Sequence, residues 1–147
     1  MNAYIEMKNR QQEEVNAFPM AFAFNQKQLE EGMRKLGLDP SETDKVCSLF
    51  GAGDFLRKTD VPAFTEMSKR HRSELKAAMD ADDTGEGFIF EAFDAELSNH
   101  EYGYTGDASD ALGALGITRE DLENDARLMR GFKKACKSQM DWYNEHN

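Results

Sequence analysis

The stretch Asp82-Asp83-Thr84-Gly85-Glu86-Gly87-Phe88-Ile89-Phe90-Glu91-Ala92-Phe93-Asp94-Ala95-Glu96-Leu97 decides the fold class. Its first six residues are polar or glycine, the composition of a turn that breaks a helix. The rest places Ile89, Phe90, Phe93 and Leu97 at helical spacing over a wide apolar arc. So broad an apolar surface puts this helix, predicted over 88 to about 100, at the centre of a helical core.

On its N-terminal side, Asp60-Val61-Pro62 opens a helix with Phe64, Met67, His71, Leu75 and Ala78 as its apolar stripe. Further back, Asn25 caps a helix with Gln28 at the capping-box position, Leu29, Met33 and Leu36 on one face, and Gly37 at its end. Asp39-Pro40-Ser41-Glu42 reads as the start of another helix. That helix is predicted to reach about Phe50, burying Val46, Leu49 and Phe50. Residues 4–15 read as a charged helix with a thin apolar edge. In residues 18–24, Phe18, Met20, Phe22 and Phe24 alternate with small residues, as a short strand or a buried helical turn would. Phe55 and Leu56 read as extended.

On the C-terminal side, Tyr102-Gly103-Tyr104-Thr105-Gly106 reads as loop, and 108–115 as a short helix stopped by Gly116. A last helix is predicted from Thr118 to about Asn144, burying Leu122, Met129, Phe132, Cys136, Met140 and Tyr143. Its acidic first turn and later Arg127, Arg130, Lys133, Lys134 and Lys137 match the helix dipole. Leu36-Gly37-Leu38-Asp39 and Leu115-Gly116-Ile117-Thr118 echo each other, as a trace of duplication or as one helix-corner chemistry used twice. The expectation is a mainly α protein, a compact bundle of five to seven helices. A short extended segment is expected near 18–24 or 55–56.

Length and composition agree. A chain of 147 residues supports one ordinary core. It has 39% hydrophobic and 31% charged residues, only three prolines, and no linker-like tract, so one domain spanning 1–147 is expected. The opening residues lack the pattern of a secretory signal, and the longest apolar stretch is far short of the ~20 residues that span a bilayer. Cys47 and Cys136 are isolated, as reduced thiols of the cytosol are. These features predict a cytoplasmic protein with no membrane contact.

The net charge of −10 argues against nucleic acid as a direct partner. Residues 80–125 hold fourteen carboxylates and one base, Arg119. The partner-facing candidates are Asp80, Asp82, Asp83, Glu86, Glu91, Asp94, Glu101, Asp107 and Asp110. Such a field steers basic partners, and it also serves general solubility.

Two further patterns carry chemistry. Residues 80–91 can be read as a calcium loop with oxygen donors Asp80, Asp82, Thr84 and Glu91 and a sharp turn at Gly85. Gly87 and Phe88 depart from that pattern, no second such loop exists, and an acidic inter-helix turn explains the same residues. No other cofactor is expected. Asn99-His100-Glu101-Tyr102 gathers titratable groups at a helix end, where His100 serves as acid and base in an enzyme or caps the last carbonyls. His71 lies on an apolar stripe and reads as structural. In Lys69-Arg70-His71-Arg72, Glu66 and Glu74 at i−4 and i+4 of Arg70 suggest a salt-bridged, solvated face.

Several stretches resemble a family of small acidic proteins of unknown function carried by bacterial mobile genetic elements. They are Glu6-Met7-Lys8, Asn16-Ala17-Phe18-Pro19, Arg57-Lys58-Thr59-Asp60, Thr84-Gly85-Glu86-Gly87-Phe88-Ile89 and Asn99-His100-Glu101-Tyr102. The resemblance implies no catalytic residue. It implies the setting of inhibitors of host defence, of the anti-restriction or anti-CRISPR type, which act by binding. The leading expectation is therefore a non-enzymatic acidic protein docking on the basic groove of a nucleic-acid-handling enzyme. A calcium-binding module and a small enzyme using His100 are the alternatives.

Overall fold

The computed structural model describes residues 2–147. Along the chain run α1 (Ala3–Ala17), β1 (Ala21–Phe22), α2 (Gln26–Lys35), β2 (Val46–Cys47), β3 (Asp54–Arg57) and α3 (Val61–Asp80). Then follow α4 (Phe88–Asn99), α5 (Tyr102–Thr105), α6 (Ser109–Leu115), α7 (Arg119–Asn124) and α8 (Ala126–His146). Helix dominates; residues 18–24, read as strand or helical turn, contain a strand, as do Phe55 and Leu56, read as extended. The chain divides into two compact units, one of Met1–Gln11 with Ser73–Asn147 and one of Gln12–Arg72.

In the larger unit, α4 is the central helix that its wide apolar arc predicts. Ile89, Phe93 and Leu97 are fully buried among Tyr4, Met79, Ala111, Leu112, Leu115, Leu122 and Ala135. Phe93 meets Phe132 of α8 edge-on, with ring centroids 5.4 Å apart. Each such fully buried side chain stabilises the unit by roughly 1.5–3 kcal/mol.

The turn before α4 is organised by one carboxylate. Asp82 Oδ1 accepts from the backbone N–H of Thr84 (3.2 Å) and Gly85 (3.0 Å) and from the Thr84 hydroxyl (3.1 Å). Its Oδ2 accepts from the N–H groups of Gly87 and Ile89, each at 3.0 Å. Ile89 N–H lies in the first turn of α4, where no helical carbonyl can reach it. Arg127 of α8 closes the other end by donating to the carbonyls of Asp80 (3.2 Å) and Asp82 (2.8 Å) where α3 finishes. Arg130 donates to the Thr84 carbonyl. The close fit requires glycine twice. Gly85 has φ +83°, and a Cβ there would overlap the Arg127 carbonyl. A Cβ on Gly131 would overlap the Gly85 carbonyl and lie 2.7 Å from Ile89 Cγ2.

The predicted last helix is two helices. Thr118 caps α7 with Asp121 in a full capping box, but Asp125 is extended (φ −134°, ψ 108°). Its carboxylate takes the Arg127 N–H at 2.9 Å and restarts the chain as α8. With α5 a single turn rather than loop, the helical segments number eight among the described residues. The Leu-Gly corners close identically, with Gly37 and Gly116 at positive φ. Leu38 N–H bonds the Met33 carbonyl, and Ile117 N–H the Leu112 carbonyl.

In the smaller unit β3 lies between β1 and β2, both antiparallel to it, with Ala21 opposite Phe55 and Cys47 opposite Leu56. Met20, Leu56, Phe64 and Met67 form one buried cluster, and Ala21, Met33, Leu36 and Phe55 another. The helix predicted from Asp39 to Phe50 does not form. Asp39 spends its carboxylate on Ser41 two residues on (2.9 Å to the N–H), one 3-10 turn follows at Thr43–Lys45, and β-favouring Val46 and Cys47 pair with β3. Asp54 then captures the N–H groups that helix would have used. Only 2% exposed, it accepts from Leu49 (2.9 Å), Phe50 (3.1 Å) and Ala52 (3.1 Å) and from the Ser48 hydroxyl (3.0 Å). Leu49 and Phe50, predicted buried, are exposed at 39% and 63%.

Burial alone would raise the pKa of Asp54, but these donors outweigh it and hold the carboxyl at about 2, against 3.8 ordinarily. A lowered folded pKa gives stability that is complete above the unfolded value and is lost as pH falls through the folded one. Asp54→Asn is therefore expected to cost about 2 kcal/mol at pH 7 in urea unfolding. It should also flatten the acid limb between pH about 4 and about 2. Gly131→Ala is expected to destabilise by about 1–3 kcal/mol. Gly113→Ala, which meets nothing within 4 Å, should be neutral or stabilising by up to about 1 kcal/mol. Melting monitored by circular dichroism checks both.

Candidate functional site

Charge follows the division into units. The larger unit has eighteen Asp and Glu against nine Lys and Arg, and the smaller has ten against nine, so they carry −9 and −1. Within the larger unit the candidate residues separate into two groups.

The first group is engaged by the fold itself. Asp82 staples the turn described above. Glu91 Oε2 accepts from Ala3 N–H at 2.8 Å, at the start of α1. Buried Glu96 accepts from the Tyr4 hydroxyl (3.0 Å) and Asn99 (2.8 Å); burial first, and then this carboxylate, push the Tyr4 pKa upward. Asp125 is 3.0 Å from Arg127, whose guanidinium does most to hold that carboxyl below its ordinary range. Asp80 pairs with Lys76 at 2.6 Å, Glu86 lies 3.9 Å from Lys134, and Asp107 accepts from Ser109 N–H at 2.9 Å.

The second group is free. Asp83, Glu101, Asp110, Glu120 and Glu123 are exposed, and their side chains make no hydrogen bond or ion pair with another described residue. Asp94 is intermediate: Gln139 Nε2 holds its Oδ1 at 2.9 Å, and its Oδ2 is unoccupied by any described donor.

Of the four donors of the calcium reading, the structure brings Asp82 and Thr84 together, hydroxyl to carboxylate at 3.1 Å, while Asp80 and Glu91 are engaged elsewhere. Both Asp82 oxygens face N–H groups, whose positive ends repel a cation. Asp80 belongs to α3, and Glu91 is occupied by α1. Among the described residues no group of three or more His, Cys, Asp or Glu is placed to hold a metal ion. His100 is exposed at the end of α4. Its backbone N–H bonds the Glu96 carbonyl at 3.1 Å, and its imidazole caps no carbonyl of a described residue. His71 is structural: its Nε2 sits 2.9 Å from Glu14 Oε2. Glu14 also pairs with Arg70, Glu74 with Arg10 and Glu66 with Lys69, so this face is salt-bridged as its sequence suggests. Arg70 foremost, then His71, hold the Glu14 carboxyl at about 2.

Sequence reading missed a groove between α4, α5 and α8, of about 640 Å³. Asp94, Glu101, Tyr104, Trp142 and Tyr143 line it with Ser98, and no Lys or Arg does. Glu101 adopts a left-handed conformation (φ 56°) that turns the chain from α4 into α5. Gly103 lets α5 lie against α8, since a Cβ there would be 2.9 Å from Tyr143 Cβ. Tyr104 then stands beside Tyr143, ring centroids 6.4 Å apart. Tyr104 is 76% exposed and Trp142 58%, and Trp142 stacks on His146 at 4.2 Å. The available signal was the one-turn offset of Ser138 and Gln139 from Trp142 and Tyr143, which puts all four on one side of α8.

No described helix is long and apolar enough to cross a membrane. In comparison with known proteins, a family of unknown function, DUF7659, matches residues 3–138. No curated protein and no solved structure matches the chain. The family match covers most of the sequence, all of the smaller unit and most of the larger, and the chain belongs to the DUF7659 family.

Proposed function

We propose that this protein acts by binding, without catalysis, and that its larger unit docks on a basic protein surface. The kind of surface meant is one that a nuclease or another nucleic-acid-handling enzyme offers to phosphates. Occupying such a groove would inhibit the enzyme, in keeping with the anti-defence setting implied by the sequence resemblance. The observation that carries this reading is the set of exposed carboxylates without a partner among the described residues (Asp83, Glu101, Asp110, Glu120 and Glu123) in a unit of net charge −9. A net negative charge of this size on one unit raises its free energy by self-repulsion, and a cationic surface relieves that repulsion. Charge of this kind acts over about 8–10 Å at physiological salt, so it speeds encounter and excludes anionic partners more than it adds affinity.

Calorimetric titration with an arginine- and lysine-rich decapeptide tests the reading. Binding is expected at 50 mM salt, weakening about tenfold or more by 300 mM, with none to duplex DNA. Replacing Asp110, Glu120 and Glu123 together by their amides should slow association several-fold and leave the melting temperature nearly in place, since none of the three side chains is bonded to another described residue. Absence of binding, or an affinity indifferent to salt, would sink the proposal.

A further inference from the structure

We infer that the groove between α4, α5 and α8 seats an arginine side chain from a basic segment of the protein partner. This rests on the binding reading above and gives it a location. The groove combines three features that a guanidinium uses and that general solubility does not require. It is walled by Tyr104, Trp142 and Tyr143, of which Tyr104 and Trp142 keep most of their surface in water. Aromatic rings left this exposed lose the stabilisation that burial would give them. Among the described residues its lining includes Asp94 and Glu101 and no Lys or Arg. Finally, acceptor atoms are available: Asp94 Oδ2 and both oxygens of Glu101 have no donor among the described residues, while Gln139 fixes the Asp94 carboxylate through Oδ1.

Charge complementarity and shape together select the occupant. A carboxylate-lined groove rejects anions. A purely apolar ligand would leave Asp94 and Glu101 without partners. An ammonium satisfies the carboxylates but holds its water tightly and has no plane to lay on a ring. A guanidinium is planar, weakly hydrated, stacks on aromatic faces and donates two parallel hydrogen bonds to a carboxylate. At about 640 Å³ the space lies within the range of ligand sites, and it exceeds a single side chain. Residues flanking the arginine therefore also have room, which fits a peptide segment.

Trp142 is the chain's single tryptophan, so its fluorescence reports on this groove. The experiment titrates the full chain at 50 mM salt with a labelled arginine-rich decapeptide, its lysine counterpart and spermine. Binding is followed both by peptide polarisation and by Trp142 emission. The arginine peptide is expected to change the emission with the same Kd that polarisation gives, and to bind about fivefold or more tightly than the lysine peptide. Tyr104→Ala and, separately, Glu101→Gln should each weaken it about fivefold. Both positions are exposed, and a circular-dichroism melt confirms that each variant folds. If the arginine peptide binds by polarisation but Trp142 is silent and both variants bind like the parent, the groove assignment falls while the acidic-partner reading stands. If no basic peptide binds by either readout, both fall. If spermine matches the arginine peptide, the site takes a small polycation and the protein-segment assignment is overturned.

Discussion

Five donors converge on the carboxylate of Asp82, and the arrangement of the larger unit follows from that convergence. Two of them, the N–H groups of Gly87 and Ile89, fix where α4 begins. The others hold the turn in the shape that sets the Gly85 carbonyl against Gly131 of α8. Arg127 binds the carbonyls at the end of α3 from the same side. Three helix ends are thereby tied through one turn, and α4 and α8 are brought close enough for Phe93 and Phe132 to meet. The groove lies further along the same pair of helices, so its width is set by the same contact.

Much of this was legible in the sequence because it depends on local chemistry. The central place of α4 followed from the width of its apolar arc. The caps at Asn25 and Thr118 and the corners at Gly37 and Gly116 needed only neighbouring residues, and all are present. The failures share a cause. The turn at Asp39 has the residues of a helix start, and what stopped the helix was Asp54, whose claim on Leu49 and Phe50 becomes visible only once β3 is in place. Asp125 looked like one more acid within a long helix, and its grip on Arg127 made it a break and a new cap. The groove was illegible for a similar reason, since it needs the close approach at Gly103 that joins two distant segments.

The same distinction separates the two readings of the acidic stretch. Calcium loops and self-capped turns both use Asp, Thr and Gly at short spacing, because both need oxygen atoms pointed inward around a tight bend. What differs is what those oxygens face. Here N–H groups fill the interior of the turn, and the carboxylates without a donor among the described residues are others, on the surface and at the groove. Sequence alone counted fourteen acids; the fold spends several on its own helix ends and leaves a smaller, better defined set.

The central claim is that recognition belongs to the larger unit and to its groove. Backbone amide shifts on titration with an arginine-rich peptide test it most directly. The account predicts that the largest shifts fall on residues 94–104 and 138–143, with residues 12–72 nearly silent. Shifts spread evenly over the chain, or centred on the exposed Phe22, Phe24 and Phe50 of the smaller unit, would contradict it.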